Sequence, residues 1–116
     1  MDVDLEHNGD VVAVVLRGDV DAAVTAELRQ QLDDQLADGR QNFVVDLSDV
    51  AFMDSSGLAT LVQLFKRVRI GHGDVRLCGL QPNVRRLFEL IRLDRVFAMF
   101  PDRAAAYASF PVSDGR

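Results

Sequence analysis

Apolar residues along this chain follow two alternating patterns, short unbroken runs and longer segments in which they return every three or four positions. Val3 and Leu5 alternate with acidic residues, a turn follows at residues 8–10, and the next six residues are all apolar. This arrangement predicts a β-hairpin whose second strand lies inside a sheet and is covered on both faces. Three further apolar runs predict three more strands. The five predicted strands cover residues 3–7, 11–16, 43–47, 75–78 and 96–100.

Three segments have the apolar spacing of helices, and composition predicts a fourth helix. The first starts near Ala22, repeats apolar residues every four positions and stops at Gly39, while the second follows a loop at residues 48–54. Pro82 suits the first turn of a third helix, and an Ala-rich stretch near the carboxyl end predicts a fourth. The predicted inner positions are Val24, Leu28, Leu32 and Leu36 in the first helix, Leu58, Leu61, Val62, Phe65 and Val68 in the second, and Val84, Leu87, Phe88 and Ile91 in the third.

The order of these elements, β-β-α-β-α-β-α-β-α, predicts the fold class. Strands that alternate with helices pair in parallel through right-handed crossovers, and the opening hairpin adds one antiparallel strand. We therefore expect one α/β domain over residues 1–110, with a mixed sheet of about five strands, about four helices and one main helical face. The fourth helix covers residues 103–110, and residues 111–116 are expected to form a flexible tail. Functional residues are expected at the carboxyl ends of the parallel strands.

Composition narrows the classes of function. The 116 residues are 48% hydrophobic and 27% charged, which is typical of a globular protein. The single cysteine, Cys78, cannot form an intramolecular disulfide, and no Cys/His cluster has the spacing of a zinc site, so neither a metal nor another cofactor is predicted. Because Cys78 stands in an apolar strand, we interpret it as a core residue, and the expected compartment is a reducing cytoplasm.

Charge and hydropathy argue against nucleic acids and membranes as partners. The net charge of −5 disfavours binding to nucleic acid. Four arginines lie close together near the third helix, but the acidic residues among them make a solvated helix face the simpler interpretation. The longest apolar run is far shorter than the ~20 residues that span a bilayer, and the first residues are acidic where a signal peptide would be basic. The four arginines are Arg85, Arg86, Arg92 and Arg95.

The segment from Asp49 to Leu58 carries the candidate chemistry because it joins the end of a strand to the start of a helix. Its Asp and Ser side chains are typical helix N-caps, since their oxygens accept hydrogen bonds from N–H groups of the first turn. Gly57 stands inside that turn, where it costs about 1 kcal/mol relative to Ala, which indicates a need for bare backbone. Phe52 and Met53 are expected in a surface loop, as a hydrophobic staple or as part of a contact patch.

Three segments stand at the carboxyl ends of predicted strands, GDVD at residues 18–21, VAFMDSSGL at residues 50–58 and LQPNVRRLF at residues 80–88. Together they closely resemble the bacterial anti-sigma factor antagonists of the STAS family. The resemblance covers nearly the whole chain with the same order of elements, and the FMDSSGL string is its most specific part.

This resemblance implies a regulatory binding protein and not an enzyme. Ser55, directly after the Asp of the motif, would be phosphorylated by a partner that is both an anti-sigma factor and a GHKL-type serine kinase. The unphosphorylated form would bind that partner and release a sigma factor, phosphorylation would end the binding, and a PP2C-type phosphatase would restore it. Ser56 would be a cap and a secondary acceptor. The implied contact surface consists of Asp19, Asp21, Phe52, Met53, Asp54, Ser55, Ser56 and Gly57.

Two alternatives stay open. Ser55 as the nucleophile of a hydrolase would need a base, but His7 falls in a strand and His72 in a turn, and the sequence has no Gly-x-Ser-x-Gly motif. A module of the same family could also act without phosphorylation, as a scaffold part of a stress-signalling complex or as the cytosolic region of an anion transporter. The oligomeric state is left open.

Overall fold

The computed structural model describes residues 2–111, which form a five-stranded sheet with helices on both faces. The strands are β1 (Val3–Asn8), β2 (Val11–Arg17), β3 (Asn42–Asp49), β4 (Asp74–Cys78) and β5 (Met99–Phe100). The helices are α1 (Ala22–Ala37), α2 (Ser55–Ile70), α3 (Pro82–Leu90) and α4 (Arg103–Ala108), with a single 3-10 turn at Leu93–Arg95.

The strands lie in the order β1-β2-β3-β4-β5 across the sheet. β1 pairs antiparallel with β2, and the other three pairings are parallel. In the centre, Val14 of β2 lies opposite Leu5 of β1 and Val45 of β3. The predicted mixed α/β sheet and the order of its elements are therefore confirmed.

Both faces of β2 are buried, which explains its unbroken apolar sequence. Val12, Val14 and Leu16 face the larger core together with residues of α1, α2 and α3. Val11 and Ala13 face a smaller core, which α4 covers. The predicted covering of this strand on both sides is confirmed, and α1, α2 and α3 form the main helical face.

The fifth predicted strand, residues 96–100, is largely wrong. Only Met99–Phe100 pair with β4, and residues 96–98 connect the 3-10 turn at Leu93–Arg95 to this short strand. The backbone N–H groups of Val96 and Phe97 donate to the carbonyl oxygen of Leu93 and are not available for a sheet. Phe97 instead packs edge-on against Phe65 and Phe88, with ring centroids 5.4 and 6.1 Å apart.

The inner position predicted for Ile91 is also wrong. α3 ends at Leu90, and Ile91 is 48% exposed because Arg92, with φ 63°, turns the chain away from the helical path. Val84 and Phe88 are buried as predicted. α4 ends at Ala108, two residues before the predicted end at residue 110. The predicted tail covers residues 111–116, of which residues 112–116 lie outside the described residues.

No helix of the described residues 2–111 combines the length and the apolar character that crossing a membrane requires.

Candidate functional site

The candidate site lies at the carboxyl edge of the sheet, where the loops after β2, β3 and β4 meet. Val20, after β2, forms a parallel bridge with Met53, after β3. The Val20 N–H donates to the Phe52 carbonyl oxygen over 2.9 Å, and the Asp54 N–H donates to the Val20 carbonyl oxygen over 3.1 Å. These bonds bring the segment of Asp19 beside the segment that leads into α2.

Ser55 is the first residue of α2 and is exposed. Within residues 2–111, no side-chain hydrogen bond involves its hydroxyl group, which therefore points to solvent at the positive end of the helix dipole. The structure thus places an accessible hydroxyl at a helix N-terminus, which phosphorylation of this serine would require.

Asp54 is the N-cap of α2. Its Oδ1 accepts hydrogen bonds from the N–H groups of Ser56 and Gly57 over 3.0 and 3.2 Å and from the Ser56 hydroxyl over 2.5 Å. The Ser56 hydroxyl bond, followed by the Gly57 N–H bond, holds the pKa of the Asp54 carboxyl below its ordinary value, against a smaller opposing effect of burial. A negative charge therefore lies directly beside Ser55 at neutral pH.

Ser56 is not the cap that the sequence predicts, because Asp54 occupies that position. The half-buried Ser56 hydroxyl donates to Asp54 and lies 3.1 Å from the Thr25 hydroxyl of α1. Its contacts join the first turn of α2 to α1. The two neighbouring serines therefore differ in surroundings, since Ser55 faces solvent and Ser56 faces the adjoining helix.

Two more acidic residues lie on the loop between β2 and α1. Asp21 is the N-cap of α1, and its Oδ1 accepts from the N–H groups of Ala23 and Val24, each over 3.1 Å. Asp19 is exposed. Since the neighbouring Val20 is paired with Met53, both carboxylates belong to the same edge of the sheet as Asp54 and Ser55.

Phe52 and Met53 differ in exposure, although the sequence places both in a surface loop. Phe52 is 53% exposed and is available for contact. Met53 is 3% exposed and belongs to the larger core, so its expected place on the surface is wrong. The bridge to Val20 gives residue 53 an extended backbone whose side chain points inward.

Gly57 is buried between the helix and the loops. A Cβ atom at this position would lie 2.9 Å from Met53 Cγ and 2.9 Å from Val20 Cγ1. The need for bare backbone inferred from the sequence is confirmed, and its cause is close packing beneath the site.

A groove beside the site was not predicted from the sequence. Its lining includes Phe52 and Met53 on one side and Arg86, Leu87 and Leu90 of α3 on the other. Helical spacing places Arg86, Leu87 and Leu90 along one side of α3, but it does not indicate that the loop after β3 lies opposite them.

The two histidines lie far from Ser55 along the strands. His7 pairs with Val12 near the start of β2, and His72 precedes β4, so both belong to the opposite, amino-terminal edge of the parallel strands. Both are exposed. A hydrolase in which histidine activates Ser55 therefore has no support from this geometry. Among residues 2–111, no group of three or more His, Cys, Asp or Glu side chains is arranged to hold a metal ion.

This chain is similar to known proteins in both sequence and fold. The profile of the family described as the STAS domain matches residues 2–106. The anti-sigma F factor antagonist of Paenibacillus polymyxa is 26% identical over 97% of this chain and 97% of its own length. The anti-sigma-B factor antagonist of Bacillus subtilis is 32% identical over 80% of this chain and 84% of its own. The crystal structure of an anti-sigma factor antagonist from Mycobacterium paratuberculosis superposes with a TM-score of 0.83, at 27% identity over 92% of this chain and 91% of its own.

Proposed function

Because this chain belongs to the STAS domain family, we propose that it is an anti-sigma factor antagonist that phosphorylation of Ser55 switches off. The unphosphorylated protein binds an anti-sigma factor, which then releases its sigma factor. That anti-sigma factor is also a GHKL-type serine kinase, and a PP2C-type phosphatase returns the protein to its binding form. The names of the relatives support the first part of this proposal. The exposed Ser55 hydroxyl beside Asp54 is the observation that carries the second.

The position of Ser55 suits a modification that leaves the fold intact. The hydroxyl extends into solvent, so a phosphate there displaces no core residue. Its negative charge meets the positive end of the α2 dipole, an interaction usually worth 0.3 to ~1 kcal/mol. The modified protein is therefore expected to remain folded.

The same phosphate is unfavourable for binding. It adds about −1.5 to −2 charges beside Asp54, on an edge that also carries Asp19 and Asp21. The Asp54 carboxylate already accepts the N–H groups of Ser56 and Gly57, which leaves fewer donors in the first turn to neutralise the phosphate. A partner that packs against the neutral hydroxyl must therefore accept a desolvated, highly charged group. A loss of ~3 kcal/mol would weaken the association more than a hundredfold.

The test is to incubate the protein with a purified GHKL-type anti-sigma kinase and ATP and to locate the phosphate by mass spectrometry. We expect one phosphate on Ser55 and none in the Ser55→Ala variant. Ser56→Ala is the matched control, because it changes the same chemical group one residue away, and it should still be phosphorylated. In binding assays with the same partner, Ser55→Ala should bind whether or not ATP is present, and Ser55→Asp should bind at least about a hundredfold more weakly.

Thermal unfolding separates loss of binding from loss of folding. Both Ser55 variants should melt within a few degrees of the original protein, whereas Leu61→Ala should cost ~2 to 5 kcal/mol because it opens a cavity beneath α2. Phosphate on Ser56 in place of Ser55, or full binding by Ser55→Asp, would contradict the proposal. Binding to the anti-sigma factor without any phosphorylation of Ser55 would favour the alternative of a scaffold module.

A further inference from the structure

An apolar groove runs beside Ser55, between the loop after β3 and helix α3. Met53, Val84 and Leu87 form its apolar lining together with Phe52, and Leu90 stands at its end. Phe52 and Leu90 are 53% and 67% exposed. Two large apolar side chains that stay in water at the mouth of one groove are typical of a surface that another molecule covers.

The groove is part of the fixed architecture of the site. The Gln81 side chain, just before α3, donates through Nε2 to the Ser48 carbonyl oxygen over 2.9 Å. Asn83, in the first turn of α3, donates through Nδ2 to the Ala51 carbonyl oxygen. The first bond joins the residue before α3 to the end of β3, and the second joins α3 to the loop that leads to Ser55, so the same elements hold the groove and the serine.

The size of the groove favours a side chain of another protein over a small molecule. It encloses about 240 Å³, below the roughly 300 to 1,000 Å³ of typical small-molecule sites. One or two aliphatic side chains from a partner suit a shallow apolar volume of this kind.

The charge around the groove has the opposite sign to that of the protein as a whole. The chain carries a net charge of −5, yet residues 82–95 contain four arginines and only two acids. All four arginines are exposed, and Arg85 alone among them forms an ion pair within the described residues, with Glu89 at 3.5 Å. Arg86 lines the groove directly. The surface therefore has an acidic part at Asp19, Asp21 and Asp54 and a basic part along α3.

We propose that this groove binds a segment of the anti-sigma factor that presents a large aliphatic side chain flanked by carboxylates. The inference rests on the proposed function for the identity of the partner. The aliphatic side chain enters between Phe52 and Leu90, and the carboxylates face Arg86 and the arginines that follow α3. With acidic residues around Ser55 and basic residues along α3, the partner can dock in only one orientation without opposing like charges.

The first experiment uses the 116-residue chain and synthetic peptides and does not involve the serine. A peptide of leucine and glutamate residues is titrated into isotope-labelled protein, and the amide signals are followed by NMR. We expect the signals of Phe52, Arg86 and Leu90 to shift. The Arg86→Glu and Leu90→Ser variants should each bind the peptide at least tenfold more weakly.

Matched controls come from the far end of α2. Lys66→Glu reverses an exposed charge, and Ile70→Ser removes an aliphatic side chain that is 85% exposed. Both should bind the peptide as the original protein does. The proposal would be overturned if a peptide with lysine in place of glutamate bound equally well, or if a single-stranded oligonucleotide bound the same groove more tightly. It would also be overturned if the control variants lost as much affinity, or if no amide signal shifted at ~1 mM peptide.

The second experiment measures binding of the same variants to the anti-sigma factor, with phosphorylation of Ser55 recorded in parallel. Leu90→Ser should weaken binding at least tenfold, and its Ser55 should still be phosphorylated at saturating kinase. If Ser55 switches binding but Leu90→Ser has no effect, the groove inference fails alone. If peptides bind the groove but Ser55 is never phosphorylated, the proposed switch fails alone.

Discussion

At Gly57, the absence of a side chain determines how closely helix α2 approaches the loops that form the site. Val20 and Met53 pair with each other through the backbone, and their side chains fill the space that a Cβ at residue 57 would enter. Asp54 and Ser55 start the same helix, so their position depends on this close packing. A substitution at Gly57 therefore tests whether the site is held by the core beneath it.

Replacing Gly57 with Ala should lower the free energy of unfolding by ~1 kcal/mol. Helix propensity alone would raise it by about 1 kcal/mol, but contacts of 2.9 Å with Val20 and Met53 introduce an overpacking cost of ~1 to 3 kcal/mol. Urea unfolding measures the difference. Ala59→Gly, at an exposed position two residues further along the helix, isolates the propensity effect and should destabilise by about 1 kcal/mol. If Gly57→Ala were more stable than the original protein, the side chains of Val20 and Met53 would have moved to accommodate the added methyl group, which would contradict this prediction.

α4 is the shortest of the four α-helices and depends on contacts with the rest of the fold. A helix of six residues is too short to be stable alone. Ala106 of α4 and Phe110, two residues after the helix, pack in the smaller core. Arg103 forms ion pairs with Glu6 and Asp46, both at 2.9 Å. α4 thus joins the edge strand β1 to the central strand β3.

Arg103→Ala should destabilise the protein by roughly 1 to 3 kcal/mol, because it leaves Asp46 without its cationic partner. Asp46 is only 6% exposed and would keep only its hydrogen bonds from Ser48. Hydrogen exchange in Arg103→Ala should show that the amide groups of α4 exchange faster than those of α2. The control is Arg67→Ala, which removes a solvent-exposed ion pair with Asp33 and should cost less than ~1 kcal/mol. Equal losses in the two variants would contradict the importance of this buried pair.

For the whole molecule, burial of both faces of the sheet disfavours the charged form of an interior group that has no cationic partner. Cys78 lies in the smaller core beneath α4, and burial, with a smaller contribution from nearby Asp46, raises the pKa of its thiol to about 12. Tyr107 of α4, whose hydroxyl donates to Glu6 over 2.8 Å, also has a raised pKa, because of burial first and this hydrogen bond second. Both groups therefore favour their neutral forms in the folded protein.

Stability is expected to decline in alkaline solution. Below pH 9.0, the ordinary pKa of the thiol, Cys78 is protonated in both states, and its contribution to stability is fully present. Between pH 9.0 and about 12 the unfolded chain loses this proton and the folded chain retains it, so the free energy of unfolding falls. Urea unfolding across this range should show that the free energy of unfolding falls less in Cys78→Ala than in the original protein. Tyr107→Phe is the control, because it retains the thiol and its contribution. An unchanged decline in Cys78→Ala would contradict this origin.

The spacing of apolar residues was sufficient to predict most helices and strands, their order and the mixed sheet. Such spacing reflects which face of each element is buried, and this information is local. The run of six apolar residues in β2 predicts burial on both faces because alternate side chains of a strand point to opposite sides. Asp54 as a helix N-cap and Ser55 as an exposed hydroxyl follow from equally local chemistry.

The surroundings of each residue depend instead on segments that are distant in the sequence. Met53 lies inside because Val20 pairs with it, and Ser56 is engaged because α1 places Thr25 beside it. Ile91 is exposed because the chain leaves the helical path at residue 92. The groove beside Ser55 forms where α3 and the loop after β3 meet, and these two segments are more than twenty residues apart in the sequence. Periodicity along one segment carries no information about these neighbours, because packing brings them together only in the folded chain.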